Sequence, residues 1–466
     1  MESQLKISGL HYQQLKKHLF SGDDKESVAV ALCGRFKDED SEFLLVHDLT
    51  LIKDEDCYCR DYNRLHWPTE TVIHYFQRIS KSNLAIVKIH SHPGGYDEFS
   101  ETDNQSDSEF FESVFGWTDD DAPHASAVML PDGSIFGRFF YPDLHHEPID
   151  KIAIIADEIL IDKKIVLVGK KKFSLRTIQA FGQKTFDILN HLTIGVVGCS
   201  GTGSPTIEQL TRLGVGKMVL IDPDLVEHKN LNRIINSNVE DANNCISKVD
   251  MASKAIANIG LGTQTEIYKE NLYDSISALK ALAKCDVIFG CMDSVDGRHL
   301  LNQLCTFYII PYFDLGVKLE ADGHGGINKI CASVNYLQPG KSSLITRGVY
   351  NIDDLRASSQ FRKNPEEYEN LKKNSYIKNI NINSPAVISV NMQISSHAVN
   401  EFLNRIHAYK VDDCSNYALS TIDMTENCII NVNENSFPID QYLQKKVGKG
   451  DVNPFIEISD ISYANS

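Results

Sequence analysis

Residues 191–224 have the sequence HLTIGVVGCSGTGSPTIEQLTRLGVGKMVLIDPD. This stretch contains a short apolar strand, a glycine-rich turn, an amphipathic segment and a second apolar strand that ends in carboxylates. A glycine-rich turn at a helix N-terminus offers backbone N–H groups and the positive end of the helix dipole to a phosphate. The stretch therefore predicts a Rossmann-like α/β fold with a nucleotide bound at the turn.

Three glycines and one aspartate carry this prediction. We expect Gly198, Gly201 and Gly203 to form the phosphate turn, and Asp222, which ends the second strand, to bind the ribose hydroxyls. Ser200 stands where a plain G-x-G-x-x-G motif has its second glycine. By itself the turn fits an NAD-dependent dehydrogenase about as well as an enzyme that uses ATP.

Polar residues farther along the chain favour ATP. Asn230 and Arg233 follow in IDPDLVEHKNLNR, and Lys248 lies near the start of a predicted helix. Two cations and an amide that converge on the turn suit a triphosphate better than the pyrophosphate of a dinucleotide. Asp293 follows another apolar strand, in a place suited to holding Mg²⁺ against phosphates. Taken together, these residues predict ATP and Mg²⁺ as cofactors.

The same segments resemble the ubiquitin-activating family of the ThiF and MoeB type, which adenylates the C-terminal glycine of ubiquitin-like proteins. The likeness spans about residues 170–410 and rests on VVGCSGTGS, IDPDLVEHKNLNR, Lys248 with VDMA, and CMDSVDGRHLLN. A later segment, SPAVISVNMQISSHAVNEFL, is similar to the helix that follows the family's crossover loop. The resemblance implies a Rossmann-like adenylation domain.

The resemblance also implies roles for individual residues. It assigns ribose to Asp222, phosphate to Arg233 and Lys248, Mg²⁺ and catalysis to Asp293, and an assisting role to Asn230 and Arg298. In LRTIQAFGQ, Arg176 matches an arginine that reaches the nucleotide of the partner subunit in homodimers of the family. A homodimer is therefore expected.

Two departures from the family bear on its chemistry. Many relatives carry two C-x-x-C pairs for a structural zinc, but Ser343 and Thr346 lie near the position of the first pair. Relatives that form a thioester place a cysteine in the crossover segment, and none occurs between Thr346 and Asn383. We therefore expect no such zinc and no thioester there. Ser384 is the one hydroxyl candidate in its place, although a helix N-cap is its ordinary role.

A second motif occupies residues 89–103, IHSHPGGYDEFSETD. His90 and His92 are two residues apart at the end of a predicted strand, so both imidazoles project to the same face. Asp103 returns after a glycine-containing loop, at the start of the next predicted helix. Two histidines and a carboxylate leave one position open in a tetrahedral zinc site, which is typical of a catalytic centre. The alternative is a polar surface loop.

Two further residues complete a candidate hydrolytic site. Glu26, at the mouth of the first core strand, is a candidate general base, and Ser100 a candidate hydrogen-bond donor to an oxyanion. The full spacing resembles the JAMM (JAB/MPN) metalloprotease motif, over roughly residues 1–145. That resemblance implies cleavage of peptide or isopeptide bonds after the C-terminal glycine of ubiquitin-like proteins.

Composition limits the remaining function classes. A formal net charge of −17 disfavours a nucleic-acid partner, because phosphates would be repelled. No basic segment and apolar run begin the chain, and no apolar run is long enough to span a bilayer, so neither a signal peptide nor a membrane partner is expected. The 11 cysteines include no C-x-x-C pair, which indicates reduced thiols and a cytoplasmic location.

The combined hypothesis is an α/β protein with two catalytic domains. The predicted organisation is a JAMM-type zinc isopeptidase domain in 1–145, a connector in 146–172, a ThiF-type adenylation domain in 173–410, and an extension without an assigned role in 411–466. The expected partners are a ubiquitin-like protein with a C-terminal glycine and a conjugating enzyme or sulfur acceptor. A non-catalytic adaptor for ubiquitin-like proteins and an NAD-binding oxidoreductase remain as alternatives.

Overall fold

The computed structural model describes residues 1–62, 64–79, 82–118, 121–163, 171–322, 324–368 and 386–458. Contacts between Cα atoms divide the chain into two units. The first unit contains Met1–Lys164, Phe307–Ile309 and Lys445–Glu457, and the second contains Ile165–Thr306 and Ile310–Gln444. Among the described residues, no helix combines the length and the apolar character needed to cross a membrane.

The first unit is built on a nine-stranded mixed sheet with the strand order β11-β10-β1-β3-β2-β6-β7-β8-β9. Its strands, with the separate hairpin β4–β5, are β1 (Glu2–Ser8), β2 (Val28–Lys37), β3 (Ser41–Leu51), β4 (Cys59–Arg60), β5 (Leu65–His66), β6 (Leu84–Ser91), β7 (His124–Met129), β8 (Ile135–Phe140), β9 (His146–Pro148), β10 (Lys151–Ile155) and β11 (Ile159–Lys163). Its helices are α1 (Gly9–Leu19), α2 (Ile73–Ile79) and α3 (Glu101–Phe115).

Both faces of this sheet are covered. Along β2, Ala29 and Ala31 belong to a core cluster that includes residues of α1. The alternate residues Val28 and Val30 belong to a second cluster, which includes residues of α2 and α3. Because successive side chains of a strand point to opposite faces, burial on both faces explains the continuous apolar sequence of β2.

The first unit also contains a segment from the far end of the sequence, residues 445–457. The Gly34 N–H of β2 donates to Gly448 O at 3.1 Å, and the Asp451 N–H donates to Arg35 O at 2.7 Å. A Cβ atom at Gly34 would lie 2.3 Å from Gly448 O, so only glycine permits this approach. This segment has no role predicted from the sequence, and β10 and β11 lie in the predicted connector of 146–172.

The second unit has a mixed sheet that contains the predicted strand, glycine-rich turn, helix and strand. Its sheet has the order β14-β13-β12-β15-β16-β17-β18-β19, parallel from β14 to β16 and antiparallel beyond. The strands are β12 (Thr193–Val197), β13 (Lys217–Ile221), β14 (Gln264–Tyr268), β15 (Val287–Gly290), β16 (Tyr312–Ala321), β17 (Ile327–Leu337), β18 (Leu419–Asp423) and β19 (Cys428–Val432). The order reverses between β12 and β15, and open α/β sheets bind ligands at that crevice.

The helices of the second unit connect and cover these strands. They are α4 (Leu175–His191), α5 (Gly203–Leu213), α6 (Val239–Asn243), α7 (Lys248–Ile259), α8 (Ile276–Ala283), α9 (Val295–Phe307), α10 (Ile352–Lys363), α11 (Ile388–Ile406) and α12 (Gln441–Gln444). α4 is interrupted at Gly182, where φ is 81°. The Rossmann-like α/β class expected for this half of the chain is confirmed.

Candidate metal centre and nucleotide site

Three predicted zinc ligands lie together where β6 ends and α3 begins. The Nε2 atoms of His90 and His92 are 3.2 Å apart. Asp103 Oδ1 lies 3.0 Å from His90 Nε2, and Asp103 Oδ2 lies 3.3 Å from His92 Nε2. All three side chains are buried. Among the described residues, they are the one group of His, Cys, Asp or Glu side chains close enough to share a metal ion.

The donor set fits a zinc ion. His92 Nδ1 lies 2.7 Å from Tyr96 O and must donate to it, so in the neutral ring Nε2 carries a lone pair. That nitrogen faces His90 Nε2 and the Asp103 carboxylate. When both imidazoles are neutral, His92 has its proton on Nδ1, so only His90 Nε2 can carry a proton among the atoms that face one another here. A cation bound between the two Nε2 atoms and the Asp103 carboxylate would accept their lone pairs. The hydrogen bond from His92 Nδ1 to Tyr96 O is of the kind that orients a histidine ligand.

Electrostatics within the cluster favour an ionised carboxylate. Burial raises the pKa of Asp103, but the contacts with the His90 and His92 imidazoles and the hydrogen bond from Ser100 together outweigh burial and hold this pKa well below its usual range. Burial lowers the pKa of His90. For His92, burial lowers the pKa, but the contacts with Asp103 and Tyr96 and the charges of Asp103 and Glu26 together outweigh burial and raise it. A neutral His90 and an ionised Asp103 are the protonation states that metal binding requires.

Ser100 fixes the orientation of Asp103. It is the N-cap of α3, where its Oγ accepts the Asp103 N–H at 3.1 Å and donates to Asp103 Oδ2 at 2.7 Å. The Ser100 N–H donates to the same Oδ2 at 2.7 Å, which completes a capping box. Its predicted contact with an oxyanion stays a prediction.

Glu26 lies at the end of β2 that is nearest to the ligands. Val28 pairs with His90 across β2 and β6, and Glu26 precedes that pair by two residues. The residue is buried, and burial followed by the charge of Asp103 raises the pKa of its carboxyl group to about 7. Its role as general base stays a prediction.

A buried cluster of charged residues, which the sequence did not predict, lies beside the ligands. Lys88 Nζ donates to Asp107 Oδ1 at 2.8 Å, and Arg138 Nη2 donates to Asp107 Oδ2 at 2.7 Å. Lys88 shares a strand face with His90, and Asp107 lies one helical turn after Asp103. Those two spacings were the available sequence signal. Opposite charges on both sides keep a buried Asp107 compatible with folding.

The glycine-rich turn is close-packed between β12 and α5. Gly198 has φ of 93°, and a Cβ there would lie 2.6 Å from Cys291 O. A Cβ at Gly203 would lie 1.8 Å from Gly198 O. At Gly201 it would lie 2.3 Å from Nδ2 of Asn391, which belongs to α11. The backbone therefore leaves no room for a side chain at Gly198 or Gly203, and α11 lies against the turn at Gly201.

Asp222 connects this turn to the end of β13. Its Oδ2 accepts the Cys199 N–H at 2.7 Å, and its Oδ1 accepts the Asp224 N–H at 2.9 Å. Lys248 Nζ lies 3.7 Å from Asp222 Oδ1 and donates to Asp224 Oδ2 at 2.6 Å. Burial raises the pKa of Asp222. Two predicted nucleotide residues, Asp222 and Lys248, thus lie together beside the turn.

The other predicted nucleotide residues occupy the surrounding loops. Asn230 is buried, and its Oδ1 accepts the Glu227 N–H at 3.1 Å. The Cδ atom of Arg233 would lie 3.4 Å from a Cβ on Gly201, so this arginine borders the turn. Asp293 is exposed in the loop between β15 and α9. Asn230, Arg233 and Asp293 keep their nucleotide roles as predictions.

Two predicted arginines have other partners in the structure. Arg298 forms a two-point ion pair with buried Asp314, Nε to Oδ1 at 2.7 Å and Nη2 to Oδ2 at 2.5 Å. Arg176 is exposed on α4 and donates to Gln179 Oε1 at 3.1 Å. The Asp314 contact was not predicted, because the partners are sixteen positions apart and lie on different elements, α9 and β16.

A polar network occupies the region where many relatives carry the first zinc cysteines. Ser343 Oγ donates to Asp440 Oδ2 at 2.6 Å, and the Ser343 N–H donates to Thr346 Oγ1 at 2.8 Å. Ser384, the hydroxyl candidate for an acyl acceptor, lies outside the described residues.

A family model described as the ThiF family matches residues 174–427, more than half of the chain. The chain belongs to the ThiF family. A second model, described as prokaryotic homologs of the JAB domain, matches residues 10–131 at the N-terminus of this ThiF protein. The predicted combination of JAB-like and ThiF segments in one chain is therefore confirmed.

Individual relatives cover parts of this ThiF chain. The ubiquitin-like modifier-activating enzyme 5 of Bombyx mori is 30% identical over 169 residues, 34% of this chain and 40% of the relative. The enzyme of the same name from Gallus gallus is 31% identical over 153 residues, 30% of this chain and 38% of the relative. The matched part is about two fifths of these relatives' length. MccB of E. coli, solved with ATP, has a TM-score of 0.43 at 16% identity and covers 57% of this chain and 74% of its own.

Proposed function

We propose that this protein is a bifunctional enzyme that acts on the C-terminal glycine of a ubiquitin-like protein. One site cleaves the peptide or isopeptide bond after that glycine, and the other adenylates the glycine with ATP and Mg²⁺. The observation that carries the proposal is the convergence of His90, His92 and Asp103 within a JAB-like segment of a ThiF chain. A cytoplasmic location belongs to the same proposal and is supported by the 11 free cysteines.

The peptidase step uses residues of the first unit. When bound to His90, His92 and Asp103, zinc supplies Lewis acidity toward the scissile carbonyl. Glu26 takes a proton from the attacking water and returns it to the leaving amine. Ser100 turns its hydroxyl proton from Asp103 to the oxyanion as charge develops there. The products are a free glycine carboxylate and an amine.

The adenylation step uses residues of the second unit. The glycine carboxylate attacks the α-phosphate of ATP, and the bond to pyrophosphate breaks. Asp222 binds the ribose, while backbone N–H groups of the turn, Arg233 and Lys248 bind the phosphates. Asp293 holds Mg²⁺, and Asn230 and Arg298 assist. Catalysis there comes mainly from positioning and charge stabilisation.

Metal analysis tests the first half of the proposal. The purified chain should bind about one zinc ion, and His92→Ala should lose both the metal and the cleavage of a peptide amide that ends in Gly-Gly. His74→Ala is the matched control, because His74 is exposed on α2. A wild-type chain that binds a ubiquitin-like protein without cleaving any bond after its glycine would instead support the adaptor alternative.

ATP–pyrophosphate exchange tests the second half. Exchange should depend on a partner with a C-terminal glycine. Asp293→Ala should abolish exchange, because the carboxylate that would hold Mg²⁺ against the phosphates is removed. Asp274→Ala is the control, since Asp274 is also an exposed aspartate of the second unit. Unchanged exchange in Asp293→Ala would remove the ATP-site assignment. If the protein bound NAD more tightly than ATP, that result would support the alternative of an NAD-binding oxidoreductase.

A thiol or hydroxyl on a conjugating enzyme or a sulfur acceptor then attacks the acyl-adenylate, takes the acyl group and releases AMP. Two cysteines of the C-terminal region differ in access. Cys414 is buried against Asn404, whereas Cys428 is exposed on β19. Enzyme, ATP and partner should give no covalent adduct that a thiol reductant removes. A reductant-sensitive adduct on Cys414 or Cys428 would show that this chain forms its own thioester.

A further inference from the structure

The hairpin β4–β5 contributes one enclosed arginine to the edge of the metal site. The side chain of Arg60 is 10% exposed. Its Nε donates to Glu26 O at 2.9 Å, and its Nη2 donates to Ser27 Oγ at 2.7 Å. Arg60 therefore binds the backbone of the proposed general base and the side chain of the next residue.

Two carboxylates hold the guanidinium in this position. Arg60 pairs with Asp23 through Nη1 and through Nη2, the latter 3.0 Å from Asp23 Oδ1. Its Nε also lies 3.2 Å from Asp54 Oδ1. Because a guanidinium is planar and its donors form a rigid fork, these contacts fix the direction in which Nε and Nη2 meet Glu26 and Ser27.

The same hairpin also accepts a hydrogen bond from the backbone N–H of Glu26. The Glu26 N–H donates to Asp61 O at 3.0 Å. Beyond Glu26, the Ser27 N–H donates to Ser91 Oγ at 3.0 Å, and the Ser91 N–H donates to Ser27 O at 3.0 Å. Ser91 is the residue between the two histidine ligands. A continuous set of hydrogen bonds thus leads from the hairpin through Glu26 to the ligand strand.

A second residue of the hairpin lies over the ligand loop. The hydroxyl group of Tyr62 is 1.9 Å from the point where a Cβ of Gly94 would stand. Gly94 follows His92 by two residues. The hairpin therefore contacts both the segment that carries the base and the loop that follows the second histidine.

We propose that Arg60 is a positioning residue for the peptidase reaction, which keeps the Glu26 segment in register with the ligand strand. This inference rests on the proposed peptidase function. The contacts of Arg60 given above include no metal ligand, so it acts through the segment of Glu26 and Ser27. Its loss should leave the ligands intact and allow the base to move. Displacement of a catalytic group by about 1 Å can cost on the order of 100-fold in rate.

The test compares Arg60→Ala and Arg60→Lys with wild type in the zinc-loaded, full-length protein. The substrate is a Gly-Gly peptide amide of aminomethylcoumarin. Arg60→Ala should lower kcat about 10- to 100-fold, with KM within about twofold and zinc content unchanged. Arg60→Lys should fall between, because an ammonium cannot reproduce the guanidinium fork. Arg64→Ala, an exposed arginine of the same hairpin, should match wild type.

Amide hydrogen exchange gives a readout that is independent of cleavage. In Arg60→Ala, exchange should accelerate in residues 23–27 and stay unchanged in the first turn of α3, where Asp103 lies. Wild-type kcat in Arg60→Ala, unchanged exchange in residues 23–27, or loss of zinc together with activity would each overturn the inference. If Arg60→Ala does not fold, Arg60→Lys decides by the same criteria. A zinc-loaded wild type that cleaves no Gly-Gly amide removes the proposed function itself, and the inference with it.

Discussion

Glu26 and Asp103 are buried carboxylates of one site whose surroundings differ. Asp103 accepts hydrogen bonds from Ser100 and faces two imidazoles, which together keep it ionised. Burial and the nearby charge of Asp103 raise the pKa of Glu26, which favours its protonated form. This difference supports the proposed roles of Asp103 as a metal ligand and of Glu26 as a proton acceptor.

Glu26→Gln should separate metal binding from cleavage. The variant should keep wild-type zinc content, because Glu26 is outside the cluster of ligand atoms. Cleavage of the Gly-Gly amide should fall about 100- to 10,000-fold, since an amide cannot accept the proton. Glu55→Gln is the control, because its carboxylate is 76% exposed. Cleavage by Glu26→Gln at the wild-type rate would contradict the base assignment.

At the scale of elements, the turn between β12 and α5 is packed so closely that a Cβ at Gly203 would collide with the backbone of Gly198. Gly203→Ala would bring its Cβ to 1.8 Å from Gly198 O. We expect the variant to lose about 1–3 kcal/mol of stability and most of its pyrophosphate exchange, because the phosphate turn must open. Thermal unfolding and exchange assays measure both effects. Gly116→Ala, where a Cβ meets only ordinary contacts, should change neither. Wild-type stability in Gly203→Ala would show that the turn has room to relax.

Elements whose sequence signal is local were predicted best. β12, its turn and α5 follow from a short apolar run, three glycines and helical periodicity within about twenty residues. The ligands His90, His92 and Asp103 were found together because a strand and a helix start fixed their directions.

Contacts between distant segments were not predictable from one sequence. Arg60 reaches Glu26 through a hairpin of two-residue strands, which leave little periodicity to detect. Gly34 and Gly448 are hydrogen-bonded although most of the sequence separates them, and no local pattern in either segment predicts the contact. Arg298 carried the charge expected of a nucleotide residue, but its buried partner Asp314 becomes visible only when β16 is placed beside β15.

At the scale of the whole molecule, we propose a homodimer in which adenylation sites are shared. Arg176→Ala and Asp293→Ala should each be inactive in pyrophosphate exchange. An equal mixture, unfolded and refolded together, should regain about a quarter of wild-type exchange, because half of the dimers then contain one intact site of two. Arg356→Ala, which removes an exposed arginine, is the control. No recovery in verified mixed dimers would contradict a shared site.

The position of residues 445–457 in the first unit also affects how the protein is made. A ribosome delivers the chain from its N-terminus, and domains ordinarily fold as they emerge. Here the backbone partners of Gly34 and Arg35 are Gly448 and Asp451, which are synthesised more than 400 residues later. The unit that begins the chain is therefore among the last parts to be completed. Until residues 448–451 have been made, the Gly34 N–H and the Arg35 carbonyl of β2 lack these backbone partners, although β3 and β6 are already available to pair with the strand.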